Sequence, residues 1–340
     1  MRAYGREAVS FQSVTSDCRY WFARDACVAY VESGAAWVAI GSPLASVGRE
    51  SEVATAFSKA AQQAGKRALF FGTERAWPRG GPFRLMVLGE QPIWQPSEWP
   101  RALSPKLHRQ IRQQRARGRV TVREVFPQEL QHAKSPARRG IDRVERRWLA
   151  SRKMAPMGFL VRLNLYDQAN ERRYFVAEHD GESVAVMIAM PVYAQHGWLL
   201  ETCIRCPSAP SGAMELVFDF AMRSFAAERS LYVSYGLCPL TGTSSWLHRL
   251  VRESSRALYD FDGLRQFKSK FKPARWQPVY LTYPRTELPA RALLDVLGAF
   301  CPRGILAFGS QTLWRRAHAL AQKAPGRRRS NAHVSLSLSC

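Results

Sequence analysis

Three short apolar runs stand near the start of the chain: Tyr20-Trp21-Phe22-Ala23, Ala26-Cys27-Val28-Ala29-Tyr30-Val31 and Ala35-Ala36-Trp37-Val38-Ala39-Ile40. They are rich in β-branched and aromatic residues and are parted by Arg24-Asp25 and Glu32-Ser33-Gly34, the pattern of an antiparallel meander. Residues 50–65 then place Val53, Ala54, Phe57, Ala60 and Ala64 at helical spacing and close on Gly65, which predicts an amphipathic helix with a glycine at its C-terminus. Arg67-Ala68-Leu69-Phe70-Phe71 follows as a buried strand. The same order returns with Tyr174-Phe175-Val176-Ala177, the turn His179-Asp180-Gly181-Glu182, the runs 184–190 and 197–203, a Pro/Ser/Gly loop, a helix over 214–228 and the strand Leu231-Tyr232-Val233-Ser234. Tyr20 and Tyr174 match at an offset of 154 residues. The sequence therefore predicts an internal duplication of a mixed α/β unit, because a meander followed by strand, helix and strand does not build a doubly wound parallel sheet.

Between the copies the pattern changes. Residues 101–153 hold sixteen Lys/Arg against Glu124, Glu129, Asp142 and Glu145. Ser104-Pro105 reads as an N-cap with proline at the first helical position, and Gly118 as the end of that helix. Its apolar stripe is thin, Leu107 and Ile111, while Lys106, His108, Arg109, Arg112, Arg115, Arg117 and Arg119 surround it. With few carboxylates nearby to neutralise them, Lys106, Arg109, Arg112 and Arg115 are candidates for binding phosphates; a solvated, salt-bridged face is the plain alternative.

The whole chain shares this bias: 340 residues carry a formal net charge of +23, which points to nucleic acid, an anionic membrane surface or phosphorylated substrates. With 46% hydrophobic residues the chain can bury a sizeable core, and its length predicts two domains. The divisions expected are an N-terminal domain over 1–100, a basic helical linker over 101–155, a C-terminal domain with the active site over 156–322, and a disordered basic tail over 323–340. Seven cysteines are too few and scattered for a disulfide scaffold. Cys203-Ile204-Arg205-Cys206 has CxxC spacing but no second pair at zinc-site distance, so no metal is expected. No secretory signal is legible at the N-terminus, and the longest apolar stretch, 184–194, is short and broken by Pro191. No transmembrane span is expected, and the location implied is cytoplasmic, at most peripheral on the inner face of the cell membrane. Oligomeric state is not legible.

The segment with the most chemistry runs from Leu200-Glu201-Thr202-Cys203 through Arg205-Cys206-Pro207 to Gly212-Ala213-Met214-Glu215. A strand ends, a Pro/Gly loop turns, and a helix begins with unpaired backbone N–H groups near Gly212, the makings of an anion or oxyanion site. Glu201 and Glu215 can hold an ammonium group or act as general base, or Glu215 serves only the helix dipole.

These segments resemble a known family. Gly41-Ser42-Pro43-Leu44, Leu88-Gly89-Glu90-Gln91-Pro92-Ile93, the basic helix from Leu103-Ser104, the loop Arg205 to Phe218, Gly236-Leu237-Cys238-Pro239-Leu240-Thr241-Gly242, and Phe267-Lys268-Ser269-Lys270-Phe271-Lys272-Pro273 with Trp276, Pro278 and Tyr280 are similar, in order, to motifs of the C-terminal synthase domain of the phosphatidylglycerol lysyltransferases, the aminoacyl-phosphatidylglycerol synthases. Ser42 stands where the family pattern has Asp. The fold class implied is α/β (α+β): two tandem N-acetyltransferase (GNAT)-like domains, each a mixed, mostly antiparallel sheet flanked by helices and joined by a basic helical linker.

The resemblance implies transfer of an aminoacyl group from aminoacyl-tRNA, the co-substrate, to a hydroxyl acceptor such as phosphatidylglycerol or another anionic lipid. It implies no further cofactor. Glu201, Glu215 and Lys270 would be catalytic, holding the aminoacyl ammonium, deprotonating the acceptor or stabilising developing charge. Arg205, Gly212, Tyr235 and Lys268 would contact substrate, Arg205 through phosphate. Two other readings stay open: an N-acyltransferase using acyl-CoA, and a non-catalytic nucleic-acid or membrane-surface binder. Against CoA, the nearest pyrophosphate-cradle pattern, Gln62 to Arg67, falls at the end of a helix rather than at its start.

Overall fold

The computed structural model describes all residues except 15–16, 76, 78–80, 117–118, 153–154, 156, 242–260, 302 and 324–340. Gly118 and Gly242, and the tail beyond Lys323, lie outside the described residues, as do the side chains of Arg115 and Arg117.

The predicted first meander forms as β1 (Arg19–Ala23), β2 (Ala26–Ser33) and β3 (Ala36–Ile40), followed by α1 (Glu50–Gln63) and β4 (Arg67–Thr73). Its repeat is β7 (Arg173–His179), β8 (Glu182–Val192), β9 (Gly197–Arg205), α6 (Ala213–Ala227) and β10 (Tyr232–Ser234). In both copies the meander strands are antiparallel, and the strand before the helix runs parallel to the one after it, β3 with β4 and β9 with β10. Between the copies lie β5 (Phe83–Trp94), the single turn α2 (Trp99–Ala102), the basic helix α3 (Pro105–Ala116), β6 (Val120–Val125), the single turn α4 (Pro127–Leu130) and α5 (Pro136–Ser151). After them come the two-residue β11 (Cys238–Pro239), α7 (Phe261–Ser269), β12 (Arg275–Pro284), α8 (Pro289–Phe300) and α9 (Ile305–Lys323).

All strands but β11 form one path, β1-β2-β3-β4-β12-β5-β10-β9-β8-β7-β6, within a 12-stranded sheet. Each copy is completed by a strand that follows the other: β12 pairs with β4, and β5 pairs with β10. The two exchanged strands pair with each other from Arg275↔Ile93 to Pro284↔Phe83, which knits the halves into one hydrogen-bonded surface. The residue divisions drawn from the sequence therefore cut across the sheet. β12, from the C-terminal stretch, lies in the first half, and β6, from the basic stretch, caps the second half by pairing with β7.

The cores follow the same division. Phe57 of α1 sits among Trp21, Tyr30, Trp37 and Phe70 under the first half. The second half buries Leu216, Val217, Ala221 and Phe225 of α6 with Phe175, Ala185 and Met187. α8 covers the other side of the first half through Ala292, Val296 and Phe300.

Candidate functional site

The Pro/Gly loop ends at Gly212, whose φ of +91° is left-handed and suits glycine. A Cβ there would meet Gln114 Cγ of α3 at 3.0 Å, so the bare glycine lets the basic helix lie against the start of α6. The Ala213 N–H bonds Pro210 O and the Leu216 N–H bonds Gly212 O. Glu215 stands in this first turn, where the helix dipole favours a carboxylate.

Lys270 reaches the site from a distant part of the chain and donates to Glu215 Oε1. The carboxylate is largely buried, with 10% of its side chain exposed, while the lysine is 37% exposed. The neighbour Phe271 fixes the lysine in place. Its ring stacks on Phe218, one turn along α6 from Glu215, with centroids 4.1 Å apart, and its carbonyl accepts a 2.8 Å bond from Trp94 Nε1. This pair is the centre of the candidate active site: a carboxylate and a cation, half open to solvent, at a helix N-terminus.

Lys268 has a different setting although only one residue separates it from Lys270. It is buried, and its ammonium donates to the carbonyls of Tyr235, Gly236 and Leu237 at 2.6, 3.0 and 3.2 Å. Those three bonds use all of its donors and hold the turn after β10, while burial pulls its pKa down. β9 and β10 pair only from Tyr232↔Gly197 to Ser234↔Leu199. Beyond that point Tyr235 lies beside Cys203, and burial drives the Tyr235 hydroxyl well above its ordinary range and the Cys203 thiol up to about 12. Both groups are therefore neutral at physiological pH.

Glu201 does not join Glu215 and Lys270. It is the extra residue of a bulge in β9, between Ala189↔Leu200 and Ile188↔Thr202, and bulges re-aim side chains. It lines a cavity between the halves, with Val31 and Ile40 from the first half and Met190 from the second. Arg172 lines the same cavity, 3% exposed, with Nη1 bonded to Asn164 O at 2.7 Å and Nε without a partner among the described residues. Burial raises the Glu201 pKa, opposed by the Thr202 hydroxyl and by Arg172. Arg205 sits exposed at the end of β9.

The basic helix forms as expected. Ser104 Oγ accepts from the Leu107 N–H, Leu107 and Ile111 are buried, and Lys106, Arg109 and Arg112 are exposed with no ion pair among the described residues. The remaining charge of this stretch behaves otherwise. Arg143 and Arg147 of α5 pair with Glu182, and Arg123 pairs with Glu129 and Glu178. Lys106, Arg109 and Arg112 of α3 thus present a cationic face beside Gly212.

Two groups were not singled out in the sequence. Arg265 lies over the Trp276 ring at 4.6 Å and bonds Glu90 at 3.2 Å, which joins two of the quoted motif segments. The second is a buried pair of carboxyl groups in the first half. Glu7 accepts from Ser42 N, Ser42 Oγ and Glu74 N at 2.6, 2.7 and 2.9 Å, and Glu74 accepts from Ala8 N. Burial raises both pKa values, that of Glu74 to about 8 with Glu7 adding to the rise. Only the Ser42 partner lay in a recognisable motif; Glu7 and Glu74 carry no local signal.

Comparison with known proteins matches residues 1–283 to the family described as "Phosphatidylglycerol lysyltransferase, C-terminal". The chain belongs to this family. Among curated relatives, the phosphatidylglycerol lysyltransferase of Bacillus subtilis (strain 168) is 29% identical over 151 residues, 41% of this chain and 17% of that protein. The chain thus matches only a small part of that relative's length. The C-terminal domain of a putative lysylphosphatidylglycerol synthetase from Agrobacterium fabrum superposes with a TM-score of 0.72 at 22% identity, covering 88% of this chain and 93% of that one. L-PGS from Bacillus licheniformis does so with 0.73 at 22% identity, covering 88% and 94%. These two share the fold, the tandem mixed α/β arrangement expected of the sequence. Among the described residues, no single helix is long and apolar enough to cross a membrane.

Proposed function

We propose that the chain transfers an aminoacyl group from aminoacyl-tRNA to a hydroxyl acceptor, with phosphatidylglycerol the favoured acceptor. The observation that carries this reading is the Glu215–Lys270 pair at the first turn of α6, flanked by the unpaired cations of α3. Family membership supports the transferase class. In the reaction the acceptor oxygen bonds to the aminoacyl carbonyl carbon, the bond from that carbon to the tRNA ribose oxygen breaks, and the acceptor's proton goes to the departing ribose oxygen. One ester replaces another, so positioning and charge stabilisation supply the acceleration. In this reading Glu215 takes the acceptor's proton, and Lys270 stabilises negative charge on the tetrahedral oxygen. Lys106, Arg109 and Arg112 meet the phosphates of the donor, a contact that needs no base sequence.

Acyl-CoA as donor has less support. Gln62 and Gln63 end α1, where a helix presents carbonyls rather than N–H groups to a pyrophosphate. In the first half, the backbone N–H groups of Ser42 and Glu74 are already occupied by Glu7.

The experiment mixes purified protein with each charged tRNA and phosphatidylglycerol vesicles, then reads tRNA deacylation and extracted lipids by mass spectrometry. A new aminoacylated lipid with one tRNA supports the reading. Deacylation no faster than spontaneous hydrolysis across the whole panel overturns it.

A further inference from the structure

The two last helices carry an unusual surface. α8 buries Ala292, Val296 and Phe300 against the sheet, yet Leu288, just before it, and Leu294 are 70% and 57% exposed. After a 61° bend, α9 begins with Ile305 and Leu306, the latter 90% exposed, and Trp314 projects two turns further on. Arg291 and Arg303 lie exposed among these residues. Residues 285–323 contain just two carboxylates, Glu287 and Asp295. Both turn inward to Arg67, Asp295 at 2.7 Å and Glu287 at 3.7 Å. What remains outward is apolar and cationic.

We propose that α8 and the start of α9 form a docking surface that lies in the plane of an anionic lipid bilayer. The two helices together are long and apolar enough to resemble a bent membrane span, but α8 cannot enter as one because its inner face is built into the core of the first half. A helix pair anchored on one side, with leucines and a tryptophan outward and arginines among them, suits the headgroup boundary. Leucines enter the acyl region while arginines meet lipid phosphates, and no outward carboxylate of this segment opposes an anionic surface. The surface also adjoins the cavity between the halves: Phe159 packs on Phe300 at the end of α8, ring centroids 5.1 Å apart, and lines that cavity. Docking in this orientation brings the cavity's Phe159 side toward the lipid. The inference deepens the reading of a lipid acceptor and rests on it for the choice of partner.

The test is flotation of the full chain with phosphatidylglycerol/phosphatidylcholine vesicles and with phosphatidylcholine alone, which requires no turnover. Wild type should float with the anionic vesicles, and L294D/L306D should lower its partition by about a hundredfold, roughly tenfold for each leucine kept out of the acyl region. Both positions are exposed, so circular dichroism and melting should be unchanged. Tryptophan quenching by brominated phosphatidylglycerol gives a second readout: W314F should lose a share of the quenching. The charge-reversed R109E/R112E on α3 should still float. No flotation of wild type, flotation untouched by L294D/L306D, or loss with R109E/R112E alone would overturn the proposal. So would a wild-type dimer that L294D/L306D converts to monomer, because a second copy would then be the occupant. If the protein floats as expected but aminoacylates no lipid, the docking surface stands and the proposed reaction fails.

Discussion

Lys270→Met keeps the length of the side chain and removes the charge that Glu215 faces. The carboxylate, 10% exposed, is then left with little water and no cation, whereas Glu215→Gln leaves a lysine 37% exposed that can rehydrate. Exposed ion pairs contribute up to about 1 kcal/mol, and stranding one partner of a buried pair costs about 3–5 kcal/mol. This pair lies between those limits. Lys270→Met should therefore cost about 2 kcal/mol, a fall of roughly 3 °C in Tm, and Glu215→Gln under about 1 kcal/mol. The double variant replaces the pair by two neutral groups and should recover most of the stability lost in Lys270→Met. Turnover should behave differently: each single variant and the double variant should lose about two to four orders of magnitude in rate, since a missing base or charge stabiliser is not restored by neutralising its neighbour. Thermal melts and a charged-tRNA turnover assay on the four proteins separate the two effects. Turnover that returns in the double variant along with stability would refute the reasoning and make the pair a strut between α6 and the segment after α7.

Three other outcomes follow from the geometry. Because burial holds the Glu74 pKa near 8, above its unfolded value, the folded state binds the extra proton; stability should be greatest at low pH and fall as pH rises from about 4.5 to 8. Glu74→Gln should flatten that slope and raise Tm at pH 8, measured by melts across pH; an unchanged slope would show that the fold does not hold Glu74 protonated. Arg109→Glu with Arg112→Glu should weaken tRNA binding and lower the magnitude of the salt slope by about 1.4 to 1.8 with little change in Tm, read by filter binding at several salt concentrations. Gly197→Ala would place a Cβ 2.0 Å from the Tyr232 carbonyl oxygen, forcing β9 from β10; a loss of about 3 kcal/mol or more in urea melts is expected, and a near-neutral variant would mean the strands can part cheaply.

Much of the local structure was legible because its causes are local. The alternation in 20–40 and its return at 174–203 produced matching meanders, Ser104-Pro105 capped α3 as the residue types require, and the Pro/Gly loop delivered Glu215 to the first turn of α6. What escaped was pairing between segments far apart. β5 and β12 have no local feature that says they exchange between halves. Glu201 and Glu215 looked alike as candidate carboxylates until the bulge in β9 turned Glu201 into a different cavity. Charge density misled in part as well, since Arg143 and Arg147 of α5 find Glu182 across the fold while Lys106, Arg109 and Arg112 of α3 find no carboxylate among the described residues.

The amino-acid order alone determined the repeated strand and helix segments, the cationic helix and the glycine turn, because periodicity, capping and backbone freedom act over a few residues. The tertiary structure decided which of two nearby lysines faces Glu215. Three carbonyls enclose Lys268 and the stack of Phe271 on Phe218 presents Lys270, an outcome set by burial and hydrogen bonding among side chains brought together from distant parts of the chain.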